Sequence, residues 1–393
     1  MKKILFINLS TYRIYDTPEK RPILEPLWAE SLSAMLSEHE TKIFDMNLYD
    51  DLEDTINEFN PDFIGVSIVT PLLKEAKDVI SIIRKTTFAK IIIGGPHVSI
   101  FHGKNIDYDF AVVGEGEYSI QDIINGTVEK KIIISEKIKD LNKLPFPKRE
   151  QTSSYPKMRS MFISRSCPYQ CVYCASKKIF GNKMTFRNVD NIIDELKMLK
   201  KEYNISYIIF LDDCFTLVRS RIIELCQRMI SEDINIKWWI DTRCDKIDKE
   251  LLEIMKKAGC SNIVFGVESG NQNVLNRIKK NLKIPDIENA FKLVNEVGIE
   301  SKCNMMIGHL DETEDEIMDS INLSKKLKAT KSSFYKVIPL PGSELYEICI
   351  ERNLITGDES EFESMAWYKY PPIISKVSKE RLEELQKLAY EIV

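Results

Sequence analysis

Short apolar runs alternate with amphipathic stretches over the first part of the chain. Lys3 to Leu9 and Phe63 to Val69 are mostly apolar, whereas Leu24 to His39 and Leu72 to Lys85 carry apolar residues at helical spacing. Strands that are apolar on both faces and separated by helices are typical of a parallel sheet covered on both sides. The pattern predicts an α/β, Rossmann-like domain over residues 1–145, with a doubly wound parallel sheet.

The regular alternation breaks between about 126 and 158, and we interpret residues 146–158 as a proline-stiffened linker. A second strand–helix series follows, with candidate strands at 161–165, 206–211, 236–242, 262–267, 301–307 and 333–338. Six such units form an arc of a (β/α) barrel, in which functional residues lie at the carboxyl ends of the strands. The sequence therefore predicts a partial (β/α)6 barrel over residues 159–342 and a small helical C-terminal segment over residues 343–393.

Composition and charge narrow the functional classes. The 393 residues suit two domains, and 44% hydrophobic with 29% charged residues is the balance of a soluble globular protein. The net charge of −5 gives no reason to expect a nucleic-acid partner. The opening apolar run, Ile4 to Ile7, is too short for a signal-peptide core, and no run is long enough for a membrane span. We therefore expect a cytoplasmic protein.

Three of the nine cysteines are grouped in one stretch directly after the first predicted barrel strand. Cys167, Cys171 and Cys174 are spaced as C-x3-C-x2-C. Three thiolates on one loop can each bind one iron of a four-iron cluster, which leaves the fourth iron open for a ligand. A zinc site or three unrelated thiols are the alternatives, but zinc usually takes paired C-x2-C units and a fourth ligand nearby. The spacing favours an iron–sulfur cluster.

With the aromatic Tyr173 directly before Cys174, this stretch resembles the signature of the radical S-adenosylmethionine (SAM) superfamily, and the resemblance extends over about residues 158 to 350. It implies a [4Fe-4S] cluster on Cys167, Cys171 and Cys174 whose open iron is chelated by the amino and carboxylate groups of SAM. It also implies reductive cleavage of SAM to methionine and a 5′-deoxyadenosyl radical, with electrons from a reductant such as flavodoxin or ferredoxin.

The same resemblance assigns SAM contacts to residues at other predicted strand ends. Tyr173 would lie near the adenine, Asp212 and Asp213 would contact the methionine end, Arg243 would hold the carboxylate and Glu268 would hold the ribose hydroxyls. Carboxylates suit the methionine end because its ammonium group is positively charged. The alternative for the two aspartates is a pair that caps the following helix.

The loop after the fifth predicted barrel strand departs from that family. Relatives often have Gly-Leu-Pro-Gly-Glu-Thr there, whereas this chain has His309 and Asp311 in place of Leu and Gly and lacks the proline. His309 is a candidate catalytic acid or base toward the substrate, since histidine titrates near neutral pH. A polar loop residue without a chemical role is the alternative.

Small residues at the strand ends of the first domain suit a large cofactor, because glycine lets a ligand approach the backbone closely. The candidate cofactor-binding residues there are Ser67, Thr70, Gly94, Gly95, His97, Gly114, Glu115 and Gly116. Gly-Gly-Pro-His followed by Gly-Glu-Gly-Glu resembles the cobalamin-binding domain that precedes the radical domain in one subgroup, which is class B methyltransferase-like. That resemblance covers roughly residues 1 to 125, and ordinary turn glycines are the alternative at each position.

The chain departs from many cobalamin domains in one respect. They use an Asp-x-His-x-x-Gly motif whose histidine ligates cobalt, whereas the segment after the first strand here, Asn8 to Arg13, contains no histidine. Members of the subgroup named above commonly lack the motif as well. The resemblance thus implies cobalamin without a histidine ligand from that motif, and leaves His97 as a candidate loop contact.

Together these features predict a radical SAM enzyme that carries out cobalamin-dependent methyl transfer to an unactivated carbon of a small molecule, lipid or peptide. A cobalamin-dependent radical cyclase or rearrangement enzyme is the first alternative. A methylthiotransferase acting on tRNA is disfavoured because the N-terminal domain has no cysteines and the tail is predicted to be helical. An iron–sulfur redox sensor is the non-enzymatic alternative, and it would leave Arg243, Glu268 and Asp213 without a purpose.

Overall fold

The computed structural model describes residues 1–10, 24–149, 158–366 and 371–393. Residues 11–13, from the segment expected to lack a cobalt-ligating histidine, and residues 150–157 of the predicted linker lie outside the described residues. In the part of the chain that is described, no helix is both long and apolar enough to cross a membrane.

Within residues 1–10 and 24–149, six parallel strands form one sheet. The strands are β1 (Lys3–Asn8), β2 (Glu40–Asp45), β3 (Phe63–Ser67), β4 (Lys90–Gly94), β5 (Phe110–Val113) and β6 (Ile132–Ile134). The helices are α1 (Leu27–Met35), α2 (Leu52–Phe59), α3 (Leu73–Thr86), α4 (Pro96–Phe101) and α5 (Glu117–Asn125). The strand order is β2-β1-β3-β4-β5-β6, so the winding reverses at β1 and the carboxyl ends of β1 and β3 border a crevice. The predicted doubly wound sheet is confirmed.

Burial along each strand explains which parts of the sheet could be predicted. β1 is apolar on both faces, and Ile4, Phe6 and their neighbours in the strand are fully buried. β6, in contrast, lies in the region where the sequence pattern breaks, and the prediction left it out. It is a short edge strand whose Ile132 and Ile134 are exposed, and it is held in the sheet by backbone pairing with β5.

Between residues 158 and 366, a second sheet is built from six parallel strands. They are β7 (Met158–Met161), β10 (Tyr207–Phe210), β11 (Lys237–Thr242), β12 (Cys260–Glu268), β13 (Glu300–Ile307) and β14 (Lys331–Lys336), while β8 (Ser164–Arg165) and β9 (Thr185–Phe186) form a separate antiparallel pair. The helices are α6 (Ser176–Phe180), α7 (Val189–Tyr203), α8 (Arg219–Ser231), α9 (Lys249–Lys257), α10 (Gln272–Arg277), α11 (Ile284–Val297) and α12 (Glu314–Leu327). The strand order β7-β10-β11-β12-β13-β14 is that of the predicted partial barrel.

The first barrel strand is the main correction to the predicted boundaries. It was expected at 161–165, but β7 ends at Met161, and Ser164 and Arg165 pair with β9 instead. Asp212, which follows β10, accepts hydrogen bonds from the Ile163 backbone N–H at 3.1 Å and from the Ser164 hydroxyl at 2.5 Å. This carboxylate therefore fixes the chain where it leaves the sheet, just before the cysteine loop.

The C-terminal segment is helical, as predicted, and it packs on both domains. Its helices are α13 (Glu344–Glu351), α14 (Glu359–Phe362) and α15 (Lys379–Ile392), and residues 367–370 between the last two lie outside the described residues. Glu359 pairs with Lys77 on α3, and the Phe362 ring lies 5.3 Å from that of Phe101 on α4. The Tyr390 hydroxyl accepts a hydrogen bond from the Phe334 backbone N–H on β14.

The proline-rich segment before residue 150 is packed rather than free. Arg149 is buried. Its guanidinium donates to Glu25, which precedes α1, to Glu30 in α1 and to Glu195 on α7, at 3.0 to 3.2 Å. It also donates to the Ser160 carbonyl on β7 at 2.8 Å. The carboxylate partners of this buried cation come from both domains, so the ion pairs hold the two domains together. Removal of one partner would leave an uncompensated buried charge.

Candidate functional site

The three grouped cysteines lie on a loop at the carboxyl edge of the barrel, directly after β8. Cys167 and Cys171 are partly exposed and Cys174 is exposed, whereas the other cysteines, Cys214 and Cys303 among them, are buried. The loop is anchored at Val172, whose backbone N–H donates to the Ile278 carbonyl at 3.0 Å and whose carbonyl accepts from the Leu345 N–H at 2.7 Å. The fold therefore presents these three thiols together and keeps them accessible.

The donor chemistry of the three thiols fits a cluster. Burial, with smaller contributions from Asp213 and Cys174, raises the pKa of Cys167 to about 11, so the free thiol is protonated and needs a cationic metal to ionise it. Within the described ranges, no three His, Cys, Asp or Glu side chains converge to hold one metal ion. A four-iron cluster does not require the three side chains to converge on one ion, because each cysteine binds a different iron.

Tyr173, between the second and third cysteines, leads into a buried polar network. Its hydroxyl lies 3.4 Å from the Lys280 Nζ. Lys280 in turn donates to Glu268 Oε1 at 2.9 Å. The site predicted for the adenine and ribose thus contains a lysine that the sequence did not indicate, because it belongs to no motif and follows another lysine, Lys279.

Backbone geometry creates the room for this lysine. Glu268 ends β12 at a register shift and has φ +72°, in the left-handed region. A Cβ on Gly266 would lie 3.0 Å from Lys280 Nζ and 2.5 Å from Glu268 Oε1, so a side chain there would displace the ion pair. Lys279 and Asn281 both have positive φ, at 53° and 52°, and turn the chain so that Lys280 points inward.

The guanidinium of Arg243, the predicted carboxylate clamp, is bound to protein atoms. Its guanidinium donates to the Lys280 carbonyl at 2.8 Å, to the Asn281 carbonyl at 3.2 Å and to Asp245 at 2.9 Å. It also lies over the Tyr169 ring in the cysteine loop, 3.8 Å from the centroid. Arg243 therefore joins the cysteine loop to the segment that carries Lys280, and its donors are directed at protein atoms.

The two aspartates after β10 have different surroundings. Asp212 is buried and holds the chain at Ile163 and Ser164, and burial raises its pKa to about 7. Its predicted contact with the methionine end of SAM stays a prediction, and its observed partners are protein atoms. Asp213 accepts from the Ser176 hydroxyl at 2.7 Å and lines the cavity described below, so it remains a candidate for that contact.

His309 is enclosed rather than open to a substrate. Burial lowers its pKa to about 4, which leaves the ring neutral, and its Nε2 lies 3.4 Å from the Glu268 carbonyl oxygen. The neighbouring Glu312 accepts from the backbone N–H groups of Gly308 and His309 at 2.7 and 2.9 Å. This geometry suits a residue that holds Glu268 in its left-handed conformation. The acid–base role of His309 toward a substrate stays a prediction.

A cavity of about 300 Å³ lies between the two domains, at the carboxyl edge of the first sheet. Predicted cofactor residues that line it are Ser67, Gly94, Gly95, Gly114, Glu115 and Gly116. The barrel contributes Phe162, Ser166 and Asp213. At Gly94, Gly114 and Gly116 the atoms nearest to a Cβ would be 3.5 Å away or more, so side chains there would enter the cavity. The glycines leave room for a large group at this edge of the sheet, and the apolar residues that line the cavity include Phe6 and Trp28.

Thr70 and His97, also predicted to bind the cofactor, are not among the residues that line this cavity. The His97 ring is buried between Phe101 and Phe362, at centroid distances of 4.8 and 5.7 Å, and its Nδ1 lies 3.2 Å from the Thr70 hydroxyl. Burial lowers the pKa of His97 to about 4. Its contacts are with α4 and the C-terminal segment, so it stabilises the packing between them.

Arg165 connects the cavity to the cysteine loop. It lies two residues before Cys167, and its guanidinium donates to Glu115 at 2.7 Å and to Glu117 at 2.5 Å. Glu115 also accepts from the Ile138 backbone N–H at 2.7 Å. The predicted cofactor residue Glu115 therefore acts as an inter-domain anchor at the rim of the cavity.

Two protein-family models match this chain, one in the barrel and one in the first domain. A model of the radical SAM superfamily matches residues 161–324, and a model of the B12 binding domain matches residues 21–124. The "Uncharacterized methyltransferase PH0819" of Pyrococcus horikoshii is 29% identical over 93% of this chain and 86% of its own length. The anaerobic magnesium-protoporphyrin IX monomethyl ester cyclase of Rubrivivax gelatinosus is 22% identical over 86% of this chain and 66% of its own length.

The fold also resembles a solved structure. TsrM from Kitasatospora setae, a radical SAM methyltransferase solved with cobalamin and a [4Fe-4S] cluster bound, aligns with a TM-score of 0.74. The alignment covers 89% of this chain and 78% of TsrM at 17% sequence identity. At this identity the likeness concerns the fold alone.

Proposed function

We propose that this chain, a radical SAM enzyme with a B12-binding domain, transfers a methyl group to an unactivated carbon. The observation that carries the proposal is the position of the cavity, which the glycine edge of the first sheet and the chain just before Cys167 line together. A cofactor in the cavity and a cluster on the cysteines would therefore face the same space. When bound, the cluster with SAM supplies a carbon-centred radical, and cobalamin supplies the methyl group.

The chain's own residues would bind and orient these groups. Cys167, Cys171 and Cys174 would hold the cluster, and Asp213 would contact the ammonium end of SAM. The glycine cradle would admit the corrin ring, and Phe6 and Trp28 would line its cavity with apolar surface that excludes water. Proximity is the main contribution of the fold, because the two domains hold both cofactors in register with one substrate.

The substrate part that enters the barrel is proposed to be polar. Side chains point alternately to the two faces of a strand, and Trp238 packs outward against the helices, so Trp239 faces the barrel interior. Asn262 and Lys302 lie on the same inner face of the two following strands. Among the described residues, Trp239 Nε1, Asn262 Oδ1 and Asn304 Oδ1 are buried without a hydrogen-bond partner. Buried polar atoms are normally satisfied, so a ligand with both donors and acceptors suits this surface.

The test is anaerobic and uses the full chain. The reconstituted protein would be given SAM, hydroxocobalamin and a flavodoxin-type reductant, with the corrin spectrum, 5′-deoxyadenosine and S-adenosylhomocysteine followed together. A protein-bound corrin and both nucleoside products are expected from a methyltransferase. Bound corrin with 5′-deoxyadenosine but no S-adenosylhomocysteine would favour a cyclase or rearrangement enzyme, a class to which the Rubrivivax relative belongs by name. Failure to assemble a cluster would overturn the proposal altogether.

A further inference from the structure

The segment around and after the three cysteines carries positive charge and no negative charge. Residues 166–186 contain three basic residues, Lys177, Lys178 and Lys183, and no Asp or Glu, whereas the whole chain has a net charge of −5. All three lysines are exposed. These three lysines, named the lysine patch below, therefore form a basic surface on a protein that is acidic as a whole.

Contacts within the protein do not neutralise the lysine patch. In the part of the chain that the structure describes, no hydrogen bond or ion pair engages any of its three ammonium groups. Lysines of neighbouring barrel loops are paired instead, Lys279 with Glu344 at 2.6 Å and Lys246 with Asp245 at 3.4 Å. The lysine patch is thus free to attract a negatively charged partner.

The lysine patch lies directly beside the proposed cluster site. Cys174 is exposed, and α6 begins at Ser176, only two residues later. The Lys178 backbone N–H donates to the Ala175 carbonyl at 2.9 Å, so the chain turns into this helix as soon as it leaves the cysteine loop. A partner bound to the patch would therefore be close to the cluster.

The backbone that presents the lysine patch is anchored beyond α6. The Ser166 hydroxyl, directly before the first cysteine, donates to the Gly181 carbonyl at 2.5 Å. Lys137 of the first domain donates to the carbonyl of Phe180 at 2.8 Å and to that of Lys183. These bonds return the segment to the start of the cysteine loop, so a partner would meet a surface that needs little ordering on binding.

We propose that Lys177, Lys178 and Lys183 form the docking surface for the protein that reduces the cluster, an acidic one-electron carrier. The inference rests on the proposed function, since it requires a cluster on the three cysteines. In the electron transfer, an anionic flavin hydroquinone gives one electron to the oxidised cluster and becomes the neutral semiquinone, and no proton or further reactant is needed. Complementary charge speeds the encounter and orients the carrier on the side of the cysteine loop.

The test follows, by anaerobic stopped-flow absorbance, the reduction of the reconstituted, SAM-bound cluster of the full chain by the hydroquinone of an acidic flavodoxin. The triple variant Lys177→Glu/Lys178→Glu/Lys183→Glu is expected to lower the second-order rate constant about 10- to 100-fold at low ionic strength. Added salt is expected to slow the parent protein and to change the variant little. Photoreduced deazariboflavin, which is uncharged and needs no docking surface, is expected to reduce both at the same rate.

The matched control makes the same charge change at the opposite edge of the barrel. Lys201, Lys257 and Lys325 are exposed and lie in the last turns of α7, α9 and α12, each just before the start of the next strand of the sheet. Substitution of all three by glutamate is expected to leave the rate with flavodoxin close to that of the parent protein.

Equal rates with flavodoxin for the patch variant and the control would overturn the proposal. A patch variant that is equally slow with deazariboflavin would overturn it too, because the lysines would then act on the cluster itself. If the patch variant takes up no cluster, carbodiimide cross-linking of the parent protein to flavodoxin decides. Amide bonds at the patch lysines are expected, and cross-links at other lysines only, or none, would sink the idea. A parent protein that binds no cluster contradicts the proposed function instead and is distinguishable from all of these results.

Discussion

Arg165 donates a hydrogen bond to Glu115 at 2.7 Å and so connects the cysteine loop of the barrel to the glycine edge of the first sheet. The side chains of the two residues are only 17% and 6% exposed. The contact is located at the rim of the cavity that both domains line. With the Arg165–Glu117 pair, it helps to set the placement of the two cofactor sites relative to each other.

Replacement of Arg165 by methionine is expected to lower the free energy of unfolding by about 3 kcal/mol, because it leaves two shielded carboxylates without their cation. Affinity for hydroxocobalamin is expected to fall in parallel as the rim loosens. Chemical denaturation and corrin titration measure the two effects. Arg352→Met removes an exposed pair with Asp311 and is expected to cost less than about 1 kcal/mol. Equal effects from both variants would contradict the assigned role of Arg165.

Gly116 offers a graded test of the cavity. Its φ of −88° is open to any residue, and a Cβ would lie 3.5 Å from Leu32, so Gly116→Ala is expected to fold and to bind hydroxocobalamin. Gly116→Leu is expected to bind it about 10- to 100-fold more weakly, because the larger side chain occupies the cradle. Equilibrium dialysis checks both variants. Retention of full affinity by the leucine variant would place the corrin elsewhere.

Alanine substitution at Cys167, Cys171 or Cys174 is expected to abolish the cluster, since each thiolate would hold a different iron. Iron and acid-labile sulfide content after anaerobic reconstitution, with the visible absorbance, provide the measurement. Cys349→Ala serves as the control, because that thiol is fully buried in the C-terminal segment. A stable full-content cluster in any of the three loop variants would rule out the assigned ligand set.

Arg243→Lys is expected to weaken cluster retention although the guanidinium of Arg243 donates to Asp245 and to backbone carbonyls. A lysine cannot bind the carbonyls of Lys280 and Asn281 while stacking on Tyr169, so the support of the cysteine loop is lost. Release of iron to a chelator is expected to be about 10- to 100-fold faster. Arg219→Lys, at an exposed pair with Asp248, is expected to release iron at the parent rate. The same rate in the Arg243 variant would show that the loop needs no such support.

His97 predicts a pH dependence of stability. Its folded pKa of about 4 lies below the 6.5 of the unfolded state, so the unfolded chain binds more protons between these values. Stability from this group is fully present above pH 6.5 and falls by about 3 kcal/mol as the pH drops toward 4. Glu359 and Lys77 face the ring and oppose each other in their effect on its charge.

The measurement compares the parent protein with His97→Gln, so that other titrating groups cancel. The destabilisation caused by the substitution is expected to be largest at pH 7.5 and to shrink by about 2 kcal/mol at pH 4.5. Urea denaturation at the two pH values provides the free energies. A destabilisation that is independent of pH would mean that His97 titrates normally in the folded protein.

Local sequence patterns predicted the parts of the protein that local physics controls. Strands such as β1 and β3 are apolar on both faces because the sheet is covered by helices, and that requirement is visible in the residues themselves. The cysteine loop was predictable for a similar reason, since three ligands of one cluster must lie close together along the chain. The exposed edge strand β6 carried no such signal.

Residue roles that depend on distant contacts were not predictable. Arg243 and Asp212 stand at strand ends that indicated cofactor contacts, yet the structure directs both at the backbone around the cysteine loop. Thr70 and His97 lie near a glycine-rich strand end but pack on α4 and the C-terminal segment. A strand-end position fixes the edge of the sheet on which a residue lies, and the neighbouring elements then decide where its side chain points.

The sequence by itself determined two α/β units and a loop with three grouped cysteines, because periodicity and close spacing are local properties of the chain. Only the tertiary structure decided which of the 55 basic residues supports that loop. Lys280 and Tyr173 are 107 positions apart and meet because the barrel brings their loops to one edge. The electrostatic environment of the cysteines is therefore set by the closure of the fold, which no stretch of sequence contains.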